Sequence, residues 1–229
     1  MVPKKAVLLV GSPRGDQSAS RALAGRILQG LSARGLAVET HSIHAAHLSE
    51  EKKARMAEAV DSADVLLFAF PLYVDHLPAP VIRALDEIAA RRRGTKSPSR
   101  PLLAALVQCG FPERHQNFPA VDIMRRFACL NGFEWAGGLT MGMGGAASGR
   151  PLPEKPSGVL RNVIQALDAA AAALAEGRPV PAETIDLMGR KLMPRGLYFA
   201  VANWHWKRMA RKNSKKLGRA VDLYARPYA

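Results

Sequence analysis

Apolar runs of strand length alternate along the chain with stretches in which apolar residues recur every three or four positions. The runs occupy residues 6–10, 37–43, 65–70, 102–107 and, less continuously, 134–141. Between them, helical periodicity covers residues 20–33, 49–60, 79–92, 119–131 and 158–176. Punctuation supports these limits: Gly35 follows the first helix, Ser49 caps the second, and Gly94 and Gly132 close the third and fourth. Strands that are apolar on both faces belong to parallel sheets covered by helices on both sides. Five of them alternating with helices predict an α/β fold with a doubly wound sheet. No internal repeat is visible, and the alanine run at 169–173 is ordinary helix material.

In such sheets ligands bind beyond the carboxyl ends of the strands, where the strand order reverses. Two segments there carry chemistry. After the first strand comes Gly11-Ser12-Pro13-Arg14-Gly15-Asp16-Gln17-Ser18-Ala19-Ser20, leading straight into a helix. A glycine- and serine-bearing loop at a helix N-terminus offers free N–H groups, hydroxyls and the positive end of the helix dipole to a phosphate. Arg14 adds a guanidinium able to hold phosphate oxygens in bidentate fashion. The third strand ends in Pro71-Leu72-Tyr73-Val74-Asp75-His76-Leu77-Pro78-Ala79-Pro80. Taken singly, each has a plainer reading: the serines as helix caps and turn residues, Tyr73 as a packing residue, and His76 as a solvated side chain.

Together with Cys109-Gly110-Phe111-Pro112-Glu113 after the fourth strand, these motifs resemble the flavodoxin-like NAD(P)H-dependent FMN reductases and quinone reductases. The similarity covers roughly residues 5–176. It implies a flavodoxin-like, doubly wound, five-stranded parallel sheet of order 2-1-3-4-5, and FMN as cofactor with NADPH or NADH as co-substrate. It also implies roles: Ser12, Arg14, Ser18, Ala19 and Ser20 would hold the FMN phosphate. Pro71, Leu72, Tyr73 and Val74 would line the isoalloxazine, Tyr73 as its wall, and Cys109, Gly110 and Phe111 would close the other edge. Hydride would pass from nicotinamide to flavin without an acid–base triad, and onward to a small acceptor such as a quinone, flavin or nitro compound. Related reductases commonly complete each active site across a homodimer. Related iron–sulfur flavoproteins carry a cysteine cluster that this chain lacks, so no metal centre is expected.

Composition narrows the alternatives. The chain has 229 residues and a net charge of +14, and no apolar stretch approaches the ~20 residues of a bilayer span; a cytoplasmic protein is expected. Its two cysteines, Cys109 and Cys129, lack metal-ligand spacing. Residues 190–229 hold eleven Lys and Arg against one acid, Asp222. Breakers at Pro179 and Pro181 predict a boundary, giving an FMN-binding domain over 1–178 and a basic, aromatic-containing helical extension over 179–229. That extension could pack on the domain or a second subunit, lie on an anionic membrane surface, or attract the phosphates of NADPH. Two other functional classes stay open. An electron carrier of the flavodoxin type fits the fold but would dock through acidic surfaces. A basic nucleic-acid-binding protein would spread its basic and aromatic residues along one face instead of gathering them at a terminus.

Overall fold

Each residue of Val65–Pro71 and of Leu102–Gln108 is buried, which requires a covered sheet. The computed structural model describes residues 3–93, 100–147 and 152–217. Its strands are β1 (Lys5–Val10), β2 (Ala37–Ser42), β3 (Val65–Pro71), β4 (Leu102–Gln108) and β5 (Glu134–Met141). All are parallel, in the order β2-β1-β3-β4-β5. The helices are α1 (Ala19–Ser32), α2 (Ile43–Ala46), α3 (Glu50–Asp61), α4 (Ala79–Arg92), α5 (Phe118–Leu130), α6 (Arg161–Ala175), α7 (Ala182–Met188) and α8 (Arg195–Leu217). The sheet order and the α/β class are those expected.

The period of two sorts β1, β3 and β4 between two cores. Leu8, Val10, Leu67 and Leu106 pack with Leu23 and Ile27 of α1 and Leu167 of α6. Val7, Leu9, Phe68 and Phe70 face Met56 of α3, Val81 of α4 and Met124 of α5. On the first side α1 and α6 approach closely: a Cβ on Gly30 would lie 2.6 Å from the Ala171 Cβ. Arg26 there donates two hydrogen bonds to Asp168, at 2.6 and 2.9 Å.

The edge strand β2 is largely exposed. The run expected over 37–43 ends one residue early, because the Ser42 hydroxyl accepts the Ala45 N–H (3.3 Å) and turns Ile43 into the core as the start of α2. In β5 a bulge falls opposite Leu103 and Ala104, and Gly137 takes φ +124°. The stop expected at Gly94 lies outside the described residues.

The first compact unit runs to Leu192, past the breakers at 179–181. After α6 the chain is held to the sheet by the Val180 N–H, which donates to the Ala136 carbonyl (2.7 Å). Pro181 then starts α7, whose Met188 is fully buried. The pair of prolines opens a helix as well as ending one. The second unit begins at Met193 and contains α8.

Candidate functional site

The loop after β1 is placed by packing. A Cβ on Gly11 would lie 2.3 Å from Val81 Cγ2 and 2.9 Å from Phe70 Cβ, so only glycine lets β1 leave the sheet here. The Gly11 N–H donates to the Ala69 carbonyl (2.8 Å), which fixes the loop beside the end of β3. Ser18 caps α1: its Oγ accepts the Arg21 N–H (3.1 Å) and donates to the Gly15 carbonyl (2.8 Å). The Ser12 hydroxyl, also buried, accepts the Arg14 N–H at 3.4 Å. These two serines therefore do the cap and turn work of the plainer reading.

Other groups of the loop have no such use. Ser20 is fully buried, and its hydroxyl finds no partner among the described residues. The Ala19 and Ser20 N–H groups open the first turn of α1, where helical geometry supplies no acceptor. Ala19 packs its methyl into the core, so only its N–H can face a ligand. Arg14 is exposed and forms no ion pair among the described residues, whereas the nearby Arg21 pairs with Asp16 (3.5 Å). An orphaned hydroxyl, helix-terminal donors and an uncommitted guanidinium on one loop suit a phosphate dianion.

The loop after β3 is a two-residue hairpin. Tyr73 and His76 exchange backbone hydrogen bonds at 3.0 and 3.2 Å, with Val74 and Asp75 between them at φ +51° and +56°. Left-handed conformation at both central residues marks a type I′ turn, which favours asparagine and glycine and penalises a β-branched residue. Val74 holds this conformation with 98% of its surface exposed. The hairpin presents the half-exposed Tyr73 ring, while Pro71 is buried and Leu72 half-buried. The Leu72 N–H donates to the Gln108 carbonyl (2.9 Å), joining this loop to the end of β4.

Past β4, Cys109 is buried, its thiol 3.7 Å from both the Phe111 and Glu113 carbonyls and 3.5 Å from Asn117 Nδ2. Burial pushes the thiol pKa up, so Cys109 is a packed thiol and not a nucleophile. Phe111 points outward. The residues marked by sequence are thus gathered on adjoining loops, except that the Cys109 side chain is turned inward. Among the described residues no group of three or more His, Cys, Asp or Glu could hold a metal ion.

Three features escape the sequence motifs. Asn117 is fully buried and donates to the Arg114 (3.0 Å) and Met141 (3.2 Å) carbonyls, tying the ends of β4 and β5 together. Arg114 bonds Asp186 of α7 (2.9 Å) and lies 5.7 Å from the Phe118 ring. In the loop after β5, the Met143 N–H donates to the Phe111 carbonyl (2.7 Å) and the Gly144 N–H to the Cys109 carbonyl (2.8 Å). All three join residues that are apart in the chain.

Residues 4–104 match the family model of the flavodoxin-like fold. This chain has a flavodoxin-like fold. A Klebsiella pneumoniae protein assigned as a quinone reductase shares 16% identity across 78% of this chain and 87% of its own, with a TM-score of 0.53. The Streptococcus pneumoniae TIGR4 flavodoxin shares 17% across 75% and 97%, with a TM-score of 0.51. A WrbA-like flavodoxin from Agrobacterium tumefaciens shares 16% across 76% and 99%, with a TM-score of 0.50. No curated protein matches the sequence. Identities this low speak for the fold, which hosts more than one function.

Proposed function

We propose that this protein is an FMN-dependent oxidoreductase that takes hydride from NADH or NADPH and reduces a small acceptor such as a quinone. The observation that carries this reading is the unpartnered set on the loop after β1, namely Arg14, the Ser20 hydroxyl and the first-turn N–H groups, beside a hairpin held in left-handed conformation. The flavodoxin-like fold, shared with structures described as flavodoxins and as a quinone reductase, supports a flavin as the ligand.

FMN bound there would supply the hydride and electron chemistry. The protein's part is to bind and orient. The Ala19 and Ser20 N–H groups, the Ser20 hydroxyl and Arg14 hold the phosphate, with Ser12 and Ser18 shaping the turn. Tyr73 walls the ring system, flanked by Pro71, Leu72 and Val74, and the backbone of 109–111 borders its other edge. The exposed rings of Phe111 and Phe118 leave apolar surface at the rim, suited to a flat substrate ring or to a second copy of the chain in a homodimer.

The purified protein is expected to retain a yellow chromophore released as FMN, and to oxidise NADPH or NADH in the presence of a quinone. Absence of FMN binding in a titration would overturn the proposal. A protein that binds FMN but accepts electrons only from a reduced protein partner would be a flavodoxin-type carrier, a role disfavoured by the +14 charge.

A further inference from the structure

We infer that α8 is an interfacial helix that lies on anionic lipid bilayers. Its 23 residues, Arg195–Leu217, include seven Lys and Arg and no acid. Over the same stretch Leu197, Phe199, Val201, Trp204, Trp206 and Met209 are all exposed, the two tryptophans at 61% and 74%. A helix of that composition inside a folded core would hide these side chains, and a purely solvated helix would not carry them.

Part of the apolar set is sorted from the cations. Phe199, Ala202, Trp206 and Met209 follow one another at intervals of three, four and three, which places them along one stripe. Lys207, Arg208, Arg211 and Lys212 recur at intervals of one, three and one and fall on the opposite side. Leu197, Val201 and Trp204 stand on the basic side, the Trp204 ring 5.5 Å from the Arg208 guanidinium. An aromatic stripe opposed to a Lys/Arg stripe is the pattern of helices that lie in the headgroup region, the rings entering the acyl boundary and the cations meeting lipid phosphates. Among the described residues no helix is long and apolar enough to cross a membrane, so a surface position is the one that uses both stripes. Nucleic acid would engage the cations but leave Trp206 and Met209 without a partner.

The inference does not depend on flavin binding. The full chain is mixed with vesicles of phosphatidylcholine alone and with vesicles containing one quarter phosphatidylglycerol, and binding is read by sedimentation and tryptophan fluorescence. Binding is expected only to the anionic vesicles, weakened by salt and accompanied by a blue shift. Trp206→Ala with Met209→Ala is expected to weaken partition by about tenfold or more. Lys207→Glu with Arg211→Glu is expected to abolish it, while the thermal transition of the folded domain stays unchanged in both variants. Equal binding to neutral and anionic vesicles, binding without a blue shift, or no binding at all would overturn the inference. Salt-sensitive binding to duplex DNA, unaffected by Trp206→Ala and tighter than vesicle binding, would overturn it in favour of a nucleic-acid partner.

Discussion

Two glycine-bearing loops stand at the carboxyl edge of the sheet and look alike in sequence, one after β1 and one after β5. The loop after β5 uses its polar groups internally. Met143 and Gly144 donate to the carbonyls of Phe111 and Cys109, and a Cβ on Gly142 would lie 2.5 Å from the Pro112 carbonyl oxygen. Gly142 thus lets two loops touch. The loop after β1 has the opposite character, leaving a buried hydroxyl, helix-terminal donors and a guanidinium uncommitted. Position explains the contrast, since β1 and β3 flank the point where the strand order reverses, whereas β5 is at an edge. Glycine content does not tell the two loops apart; the groups left without a partner on the loop after β1 do.

The contrast predicts different kinds of damage. Gly142→Ala should destabilise the fold, because the added methyl meets backbone oxygens that cannot rotate away. Overpacking of this kind costs up to about 3 kcal/mol, and the melting temperature should fall by about 6–12 °C. An unchanged melting temperature would mean that the loops are not in close contact.

Arg14→Ala should do the reverse. With no ion pair lost among the described residues, the thermal stability of the FMN-free protein should stay within about 0.5 kcal/mol of the parent. The affinity for FMN should drop by about 1.5–3 kcal/mol, the usual worth of a hydrogen bond to a charged group. Isothermal titration reads both the loss and its screening by salt. Unaltered affinity would remove Arg14 from the site.

Much of this architecture is legible in the sequence. The runs at 65–70 and 102–107 are apolar on both faces because β3 is the central strand and β4 its covered neighbour, and the helix over Ala79–Arg92 begins and ends where its sequence predicts. The loops after β1 and β3 were legible because serine, arginine and proline cluster there. Helix α7 was not: seven residues after two prolines give too little periodicity, and what holds it comes from far along the chain, through the buried Met188 and the Arg114–Asp186 pair 72 positions apart. Nor could sequence separate Ser18, whose hydroxyl caps a helix, from Ser20, whose hydroxyl has no partner. That distinction depends on which side of the first turn faces the core.

Ser20→Ala uses this distinction. A buried hydroxyl without a partner destabilises the ligand-free fold, and alanine is the better helix former. Stability should therefore hold or rise by up to about 1 kcal/mol in denaturant unfolding. FMN affinity should weaken by about 1 kcal/mol, roughly fivefold. A variant that unfolds more easily and binds FMN as before would show the hydroxyl to be structural.

The smallest effect sharpens the comparison most. Met143 and Val74 are both non-glycine residues in left-handed conformation, at φ +56° and +51°. Met143 is only 1% exposed, and burial of its side chain offsets the strain; Val74 is 98% exposed and gains nothing from its position. Left-handed geometry costs such a residue about 1–2 kcal/mol, while glycine adds about 0.5–1 kcal/mol of chain entropy to the unfolded state. Val74→Gly should accordingly raise stability by about 0.5–1 kcal/mol, or about 1–4 °C in melting temperature. Met143→Gly should lower it, through loss of about 1.5–3 kcal/mol of apolar burial. If the strained hairpin holds Tyr73 in place for the ligand, Val74→Gly should also slow NAD(P)H oxidation while the stability rises. A variant that is more stable and equally active would separate the strain in this hairpin from the chemistry beside it.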